Sequence, residues 1–277
     1  MLSQEERQER PIGVFDSGVG GLSVWREIVR LLPQEEIIYL ADQARVPYGD
    51  RTREEVERFT HEAVGWLIKQ GVKSVVVACN TASAAALTSL RERWPAIPIV
   101  GMEPAVKPAS QHTRTGHVGV LATPGTLKAD RFSSLVERYA DGVQVHTVMG
   151  TGLVKMVEAN MLTGPEVEAR LRVILAPLLT TDIDHLVLGC THFPFLMTAL
   201  RRVLGEDVQL VDPAPAVARQ TRRVLAAKGL LRSGSRPGAW HFVTTGSLAP
   251  FQRAVQRLMA AELMASRPIA FQKTDLG

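Results

Sequence analysis

Cysteine, aromatic residues and long apolar runs are all scarce in this chain. Of 277 residues, two are cysteine, and phenylalanine, tryptophan and tyrosine together make 5%. No uncharged apolar window is long enough to span a membrane. The first ten residues are polar and charged, with no apolar signal core, and read as a flexible extension (residues 1–10) of a cytoplasmic protein. In that compartment a disulfide between the two cysteines is disfavoured. A zinc site would need more ligands than His192, which alone lies close to a cysteine in sequence. The formal charge at pH 7 is +4, from 32 basic and 28 acidic residues, with a pI near 9.3. These charges are spread out, and no basic block or aromatic-interleaved patch marks a nucleic-acid interface. The glycine-rich turn after residue 16 lacks a Gly-Lys-Ser/Thr ending, so it is not a phosphate-binding P-loop. What remains is an ordinary globular composition, 45% hydrophobic and 22% charged. It is long enough to bury a core in one large or two modest domains.

The two cysteines share one context. Val75-Val76-Val77-Ala78-Cys79-Asn80-Thr81-Ala82-Ser83 is a β-branched apolar run that ends at a thiol, followed by N-cap residue types and an alanine-rich, helix-prone segment. Leu186-Val187-Leu188-Gly189-Cys190-Thr191-His192-Phe193-Pro194 repeats the arrangement, with proline near the first helical turn. Each thiol is thus expected where a strand hands over to a helix. Ligands bind at that end of the strands in open α/β sheets. The positive end of the helix dipole there favours thiolate. Two inert buried thiols are the plainer reading of such residues; the matching contexts favour a catalytic pair.

Taken in order, residues 11–15 read as a first strand. Asp16-Ser17-Gly18-Val19-Gly20-Gly21-Leu22-Ser23 then turns into an amphipathic helix ending near Leu31. The N–H groups of such a turn suit an anionic ligand such as a carboxylate. Asp16 is either a helix N-cap or a polar group aimed at a substrate. Residues 36–41 read as a strand and 42–51 as a loop rich in turn formers. Thr52 with Glu55 makes a capping box for a helix that stops at Gly71. After the Cys79 unit, a helix to Trp94 and a strand over 97–100 complete a βαβαβαβ pattern, the mark of a mostly parallel, helix-flanked sheet. A second α/β series follows: a strand over 117–122, the turn Thr123-Pro124-Gly125-Thr126-Leu127, a strand over 144–148, and helices over 153–159 and 167–179. The Cys190 unit, with its helix closing at Gly205, and a strand over 208–211 complete it. A strand over 240–243 and a final helix to about Met264 return to the first series. The expected fold is α/β with two similar lobes, each a mostly parallel sheet flanked by helices, and the active site in the cleft between them. Residues 11–103 with 214–277 form the lobe carrying Cys79, and residues 104–213 the lobe carrying Cys190.

Phe15-Asp16-Ser17-Gly18-Val19-Gly20-Gly21, Ala44-Arg45-Val46-Pro47-Tyr48-Gly49, Ala78-Cys79-Asn80-Thr81-Ala82-Ser83 and Leu188-Gly189-Cys190-Thr191-His192-Phe193-Pro194 resemble the signature blocks of glutamate racemases. Val118-Gly119-Val120-Leu121-Ala122-Thr123 and Thr244-Thr245-Gly246 follow in the family's order, so the resemblance covers nearly the whole chain. His192, directly after Cys190-Thr191, is similar to the glutamate enzymes; aspartate racemases usually carry an acidic residue there. The resemblance implies a cofactor-independent racemase that interconverts L- and D-glutamate, supplying D-glutamate for peptidoglycan synthesis without metal or pyridoxal phosphate. The chemistry is consistent with that: one base cannot easily reach both faces of a fixed carbon, whereas two on opposite walls of a cleft can, provided the site stabilises the carbanion-like transition state. By matching position, Cys79 and Cys190 are the acid/bases, Asp16 and His192 assist them, and Glu158 partners His192. Asp16, Ser17, Pro47, Tyr48, Gly49, Asn80, Thr81, Thr123, Thr126, Thr191 and His192 resemble substrate-binding positions. The implied partner is the small-molecule substrate, and a homodimer is left open. Two alternatives also stay open: a racemase for aspartate or another acidic amino acid, and a non-catalytic two-lobed amino-acid-binding protein, whose binding would survive alkylation of its thiols.

Overall fold

β-Branched runs bounded by turn residues become strands covered on both faces, as parallel strands require. The computed structural model describes residues 3–234, 236–264 and 267–276. Its strands are β1 (Ile12–Asp16), β2 (Ile37–Ala41), β3 (Ser74–Val77), β4 (Ile99–Val100), β5 (His117–Ala122), β6 (Gln144–Met149), β7 (His185–Gly189), β8 (Gln209–Val211), β9 (Trp240–Thr244) and β10 (Ile269–Lys273). The first sheet runs β10-β9-β2-β1-β3-β4 and the second β6-β5-β7-β8, with all pairs parallel. Four strands in each sheet therefore follow one wiring, with the second and third strands on opposite sides of the first. That is the switch-point arrangement that opens a crevice at the carboxyl ends of the strands. Cys79 lies just past β3 and Cys190 just past β7, the third strand in each case.

The helices are α1 (Gln4–Glu9), α2 (Leu22–Leu31), α3 (Arg53–Lys69), α4 (Asn80–Arg93), α5 (Val106–His112), α6 (Pro124–Leu127), α7 (Asp130–Tyr139), α8 (Leu153–Glu158), α9 (Pro165–Leu175), α10 (Met197–Leu204), α11 (Ala214–Ala227), α12 (Leu248–Leu258) and α13 (Ala260–Leu263). Both halves of the Thr52/Glu55 capping box form at the start of α3, and Gly71 beyond its end has φ +79°, the left-handed conformation that glycine adopts without steric cost. Helix α2 buries Leu22, Val24, Trp25, Ile28 and Val29 on one face. Its fully buried Trp25 meets Trp240 edge-on at 4.7 Å and Phe242 at 5.1 Å, and α11 packs along it. The apolar cluster around it continues into the second sheet through Leu121, Leu188 and Phe193. Burial of such side chains contributes roughly 1.5–3 kcal/mol each, so the two lobes are joined by a common core.

The structure departs from the sequence reading in several places. Residues 4–9, expected to be flexible, form α1, closed by a Ser3/Glu6 capping box. Gln8 Nε2 donates to Gly229 O (3.1 Å), Lys73 Nζ donates to Gln8 O (2.6 Å), and Glu9 pairs with Arg232. Polar composition suggested a tail, but capping and these distant partners hold a helix. The final helix is two pieces, and β10 extends the first sheet beyond β9. Among the described residues no helix is long and apolar enough to cross a membrane.

Candidate active site

Cys79 is the N-cap of α4. Its Sγ accepts a hydrogen bond from the Ala82 N–H (3.5 Å) and lies 3.9 Å from Ser17 Oγ. Cys190 Sγ lies 3.7 Å from His192 Nδ1. Both thiols are free and buried, and both line one cavity of about 10 Å³, room for about one water. The first lobe contributes Ser17, Pro47, Tyr48, Gly49, Asn80 and Thr81 to its wall, and the second Thr123, Thr191 and His192. Asn80 is 3% exposed, and neither its amide oxygen nor its amide nitrogen has a hydrogen-bond partner. A buried polar group left unpaired in this way is suited to a ligand.

Three expected site residues lie behind the wall rather than on it. Thr126 Oγ1 reaches Thr123 Oγ1 (3.0 Å) and Thr81 Oγ1 (3.3 Å), pinning two wall residues across the lobes. Asp16 is fully buried, accepting from the Gly18 and Gly21 N–H groups (3.1 and 3.0 Å) and from Thr191 Oγ1 (3.3 Å). Glu158 pairs with His192 Nε2 at 2.7 Å and accepts from the Val19 N–H (2.8 Å) and Gln43 Nε2 (3.0 Å). Tyr48 is on the wall, but its hydroxyl is engaged elsewhere, donating to Asp42 Oδ2 (2.6 Å). Sequence reasoning missed Asp42, Gln43 and the wall residue Val154. The first two look like any polar residues of a turn-rich loop, and Val154 carries no chemical signal.

The glycine-rich turn does bind carboxylates, but they are the protein's own. Its N–H groups serve Asp16 and Glu158. A Cβ on Gly18 would lie 2.0 Å from Glu158 Oε1, and one on Gly20 would lie 2.3 Å from His192 Nδ1, so glycine is needed here for close approach.

Electrostatics separate the two thiols. Burial, followed by the nearby Asp16 carboxylate, pushes the Cys79 thiol well above its ordinary range, despite the Ala82 N–H. The expected helix-dipole effect is therefore outweighed: a dipole contributes about 0.3–1 kcal/mol, whereas full burial shifts a pKa by several units. Asp16 is itself raised by burial, against the His192 charge and the N–H groups of Gly21 and Gly18. Burial also opposes charge on His192, but its hydrogen bonds to Cys190 and Glu158 prevail and hold its pKa well above 6.5. Glu158 is the complementary case: burial disfavours its charge, yet the bonds from His192, Val19 and Gln43 hold its pKa below 4.5. The pair is imidazolium and carboxylate. Among the described residues no group of three or more His, Cys, Asp or Glu side chains could hold a metal ion.

The Asp/Glu/hydantoin racemase family model matches residues 12–221. A glutamate racemase of Roseiflexus sp. (strain RS-1) is 49% identical over 254 residues, covering 91% of this chain and 93% of that protein. The crystal structure of a glutamate racemase isoform from Bacillus anthracis superposes with a TM-score of 0.87 at 36% identity, over 97% of this chain and 98% of that one. Escherichia coli glutamate racemase, solved with L-glutamate and the activator UDP-MurNAc-ala, gives 0.82 at 34% identity, over 95% and 98%. With this sequence match over most of its length and two parallel sheets arranged as in those enzymes, the chain belongs to the glutamate racemases of the aspartate/glutamate racemase family.

Proposed function

We propose that the two thiols racemise glutamate by two-base proton transfer. One observation carries this reading: two free, buried cysteines from two separate sheets line one cavity. The Asn80 amide and the hydroxyls of Ser17, Thr81, Thr123 and Thr191 hold the substrate carboxylates and ammonium. Cys190, as thiolate, takes the α-proton from L-glutamate, and the Cys79 thiol then delivers one to the opposite face; D-glutamate runs the steps in reverse. The imidazolium of His192, kept charged by Glu158, lies beside Cys190 and assists its proton transfer. Asp16 acts on Cys79 through its charge. Placed donors in a site with almost no water stabilise the carbanion-like transition state. The product supplies D-glutamate for peptidoglycan synthesis in the cytoplasm.

Incubating the purified protein with L-glutamate in deuterated water, with no added cofactor, tests this. The expected product is D-glutamate carrying deuterium at Cα. A requirement for pyridoxal phosphate, or activity lost to a chelator and restored by zinc, overturns it. Parallel incubation with L-aspartate tests the substrate assignment and should give little exchange.

A further inference from the structure

Thr244 and Thr245, at the end of β9, sit behind the cavity and touch neither thiol. The β2–β9 register places Thr244 beside Ala41, and the Thr245 N–H donates to Ala41 O (3.1 Å), which brings the Asp42–Gln43 turn against the two hydroxyls. The Thr244 hydroxyl accepts from the Gly246 N–H (3.0 Å), so its proton goes to Gln43 Oε1 (3.0 Å). That fixes the orientation of the amide, with Nε2 donating to Glu158 Oε2 (3.0 Å). The other Glu158 oxygen holds His192, the neighbour of Cys190. The Thr245 hydroxyl accepts from the Ala44 N–H (3.0 Å) and donates to Asp42 Oδ1 (2.7 Å). The second Asp42 oxygen holds the Tyr48 hydroxyl, and Tyr48 shares an apolar cluster with Cys79.

We propose that Thr244 and Thr245 are positioning residues that each serve one thiol: Thr244 acts through Gln43, Glu158 and His192 on Cys190, and Thr245 acts through Asp42 and Tyr48 on Cys79. The first arm also crosses the lobes, since Gln43 and Val19 belong to the first sheet's half and Glu158 to the second's. The assignment of one face of the substrate to each thiol rests on the proposed function. Removing either hydroxyl leaves its partners on both sides without that bond, among them the half-buried Gln43 amide and the buried Asp42 carboxylate, which is costly in a satisfied network.

The test uses Thr244→Val and Thr245→Val with glutamate deuterated at Cα, started from each enantiomer. The enantiomers are equal in free energy, so kcat/KM must agree in the two directions and cannot distinguish the arms. The primary isotope effects can. We expect kcat/KM to fall roughly tenfold in each variant. Thr244→Val should raise the isotope effect from L-glutamate and lower it from D-glutamate, because proton transfer at Cys190 becomes more limiting; Thr245→Val should do the opposite. Thr244→Ser and Thr245→Ser keep the hydroxyls and should restore wild-type behaviour. The proposal is overturned if both valine variants move the isotope effects in the same direction, if neither moves them, or if the serine variants are as impaired as the valine ones. Wild-type protein that fails to exchange the α-proton of glutamate would instead overturn the two-thiol reading.

Discussion

The ends of β3 and β7 differ more in their surroundings than in their sequences. Both place a cysteine past the third strand of a like-wired sheet. Past β7, the sulfur has a charged partner: His192 at 3.7 Å, itself held by Glu158 at 2.7 Å. Past β3, the sulfur has a backbone N–H, a serine hydroxyl at the limit of reach and a carboxyl group in the vicinity. Repetition of a motif thus delivers a sulfur to the same place twice, and the surroundings of each sulfur set the two apart. For a reaction that needs a base on one face and an acid on the other, that asymmetry is useful. Cys79 is poised to give a proton, and Cys190 is placed beside a cation.

The strongest way to break this comparison is to remove each sulfur. Cys79→Ser and Cys190→Ser should each abolish racemisation, because a serine hydroxyl is far less acidic than a thiol. With a substrate that eliminates after deprotonation on one face only, the L isomer should still react with Cys79→Ser and not with Cys190→Ser, and the D isomer should show the reverse. Near wild-type racemisation by either variant would refute the division, as would equal failure of both on both isomers.

Removing the cation tests the Cys190 side alone. His192→Asn should lower kcat roughly a hundredfold or more. The pH profile gives the sign. The His192 pKa is raised, so the imidazolium is present through neutrality and is lost only as pH climbs past that raised value. Wild-type activity should therefore have an alkaline limb that His192→Asn lacks; an identical limb in both proteins would assign it to another group.

The smallest expected effect is on the Cys79 side. Asp16 is one of the causes of the raised Cys79 pKa. In a Cys190→Ser background, Asp16→Asn should move the pH dependence of iodoacetamide alkylation of Cys79 to lower pH and speed the reaction severalfold at neutrality. An unchanged profile would leave burial as the whole cause.

Much of this comparison was legible in the sequence. Strand–cysteine–helix units are local, and their periodicity, caps and glycine stops lie within a dozen residues of each thiol, so Cys79, Cys190 and the two-sheet fold could be read directly. The charge states could not. The glycine-rich turn signals an anion, but the anion it meets with Val19 N–H is Glu158, 139 positions away. Burial of Cys79 depends on packing from both lobes, and it overrides a dipole rule that sequence alone supports. Asp42 and Gln43 gain their roles from the β2–β9 register, which joins segments some 200 residues apart. Helix α1 was within reach, since Ser3-Gln4-Glu5-Glu6 is a capping-box pattern, but its polar composition masked it.

The cavity between the thiols has room for about one water, far less than a dicarboxylic amino acid occupies. We infer that the two lobes part to admit a substrate of that size and then close around it. Apparent affinity is then the intrinsic affinity scaled by the population of that open form. Contacts that favour the closed form of the free protein weaken substrate capture even as they align the chemistry. Substitutions that loosen the Gln43–Glu158 contact should accordingly bind glutamate more readily and convert it more slowly, with KM and kcat falling together.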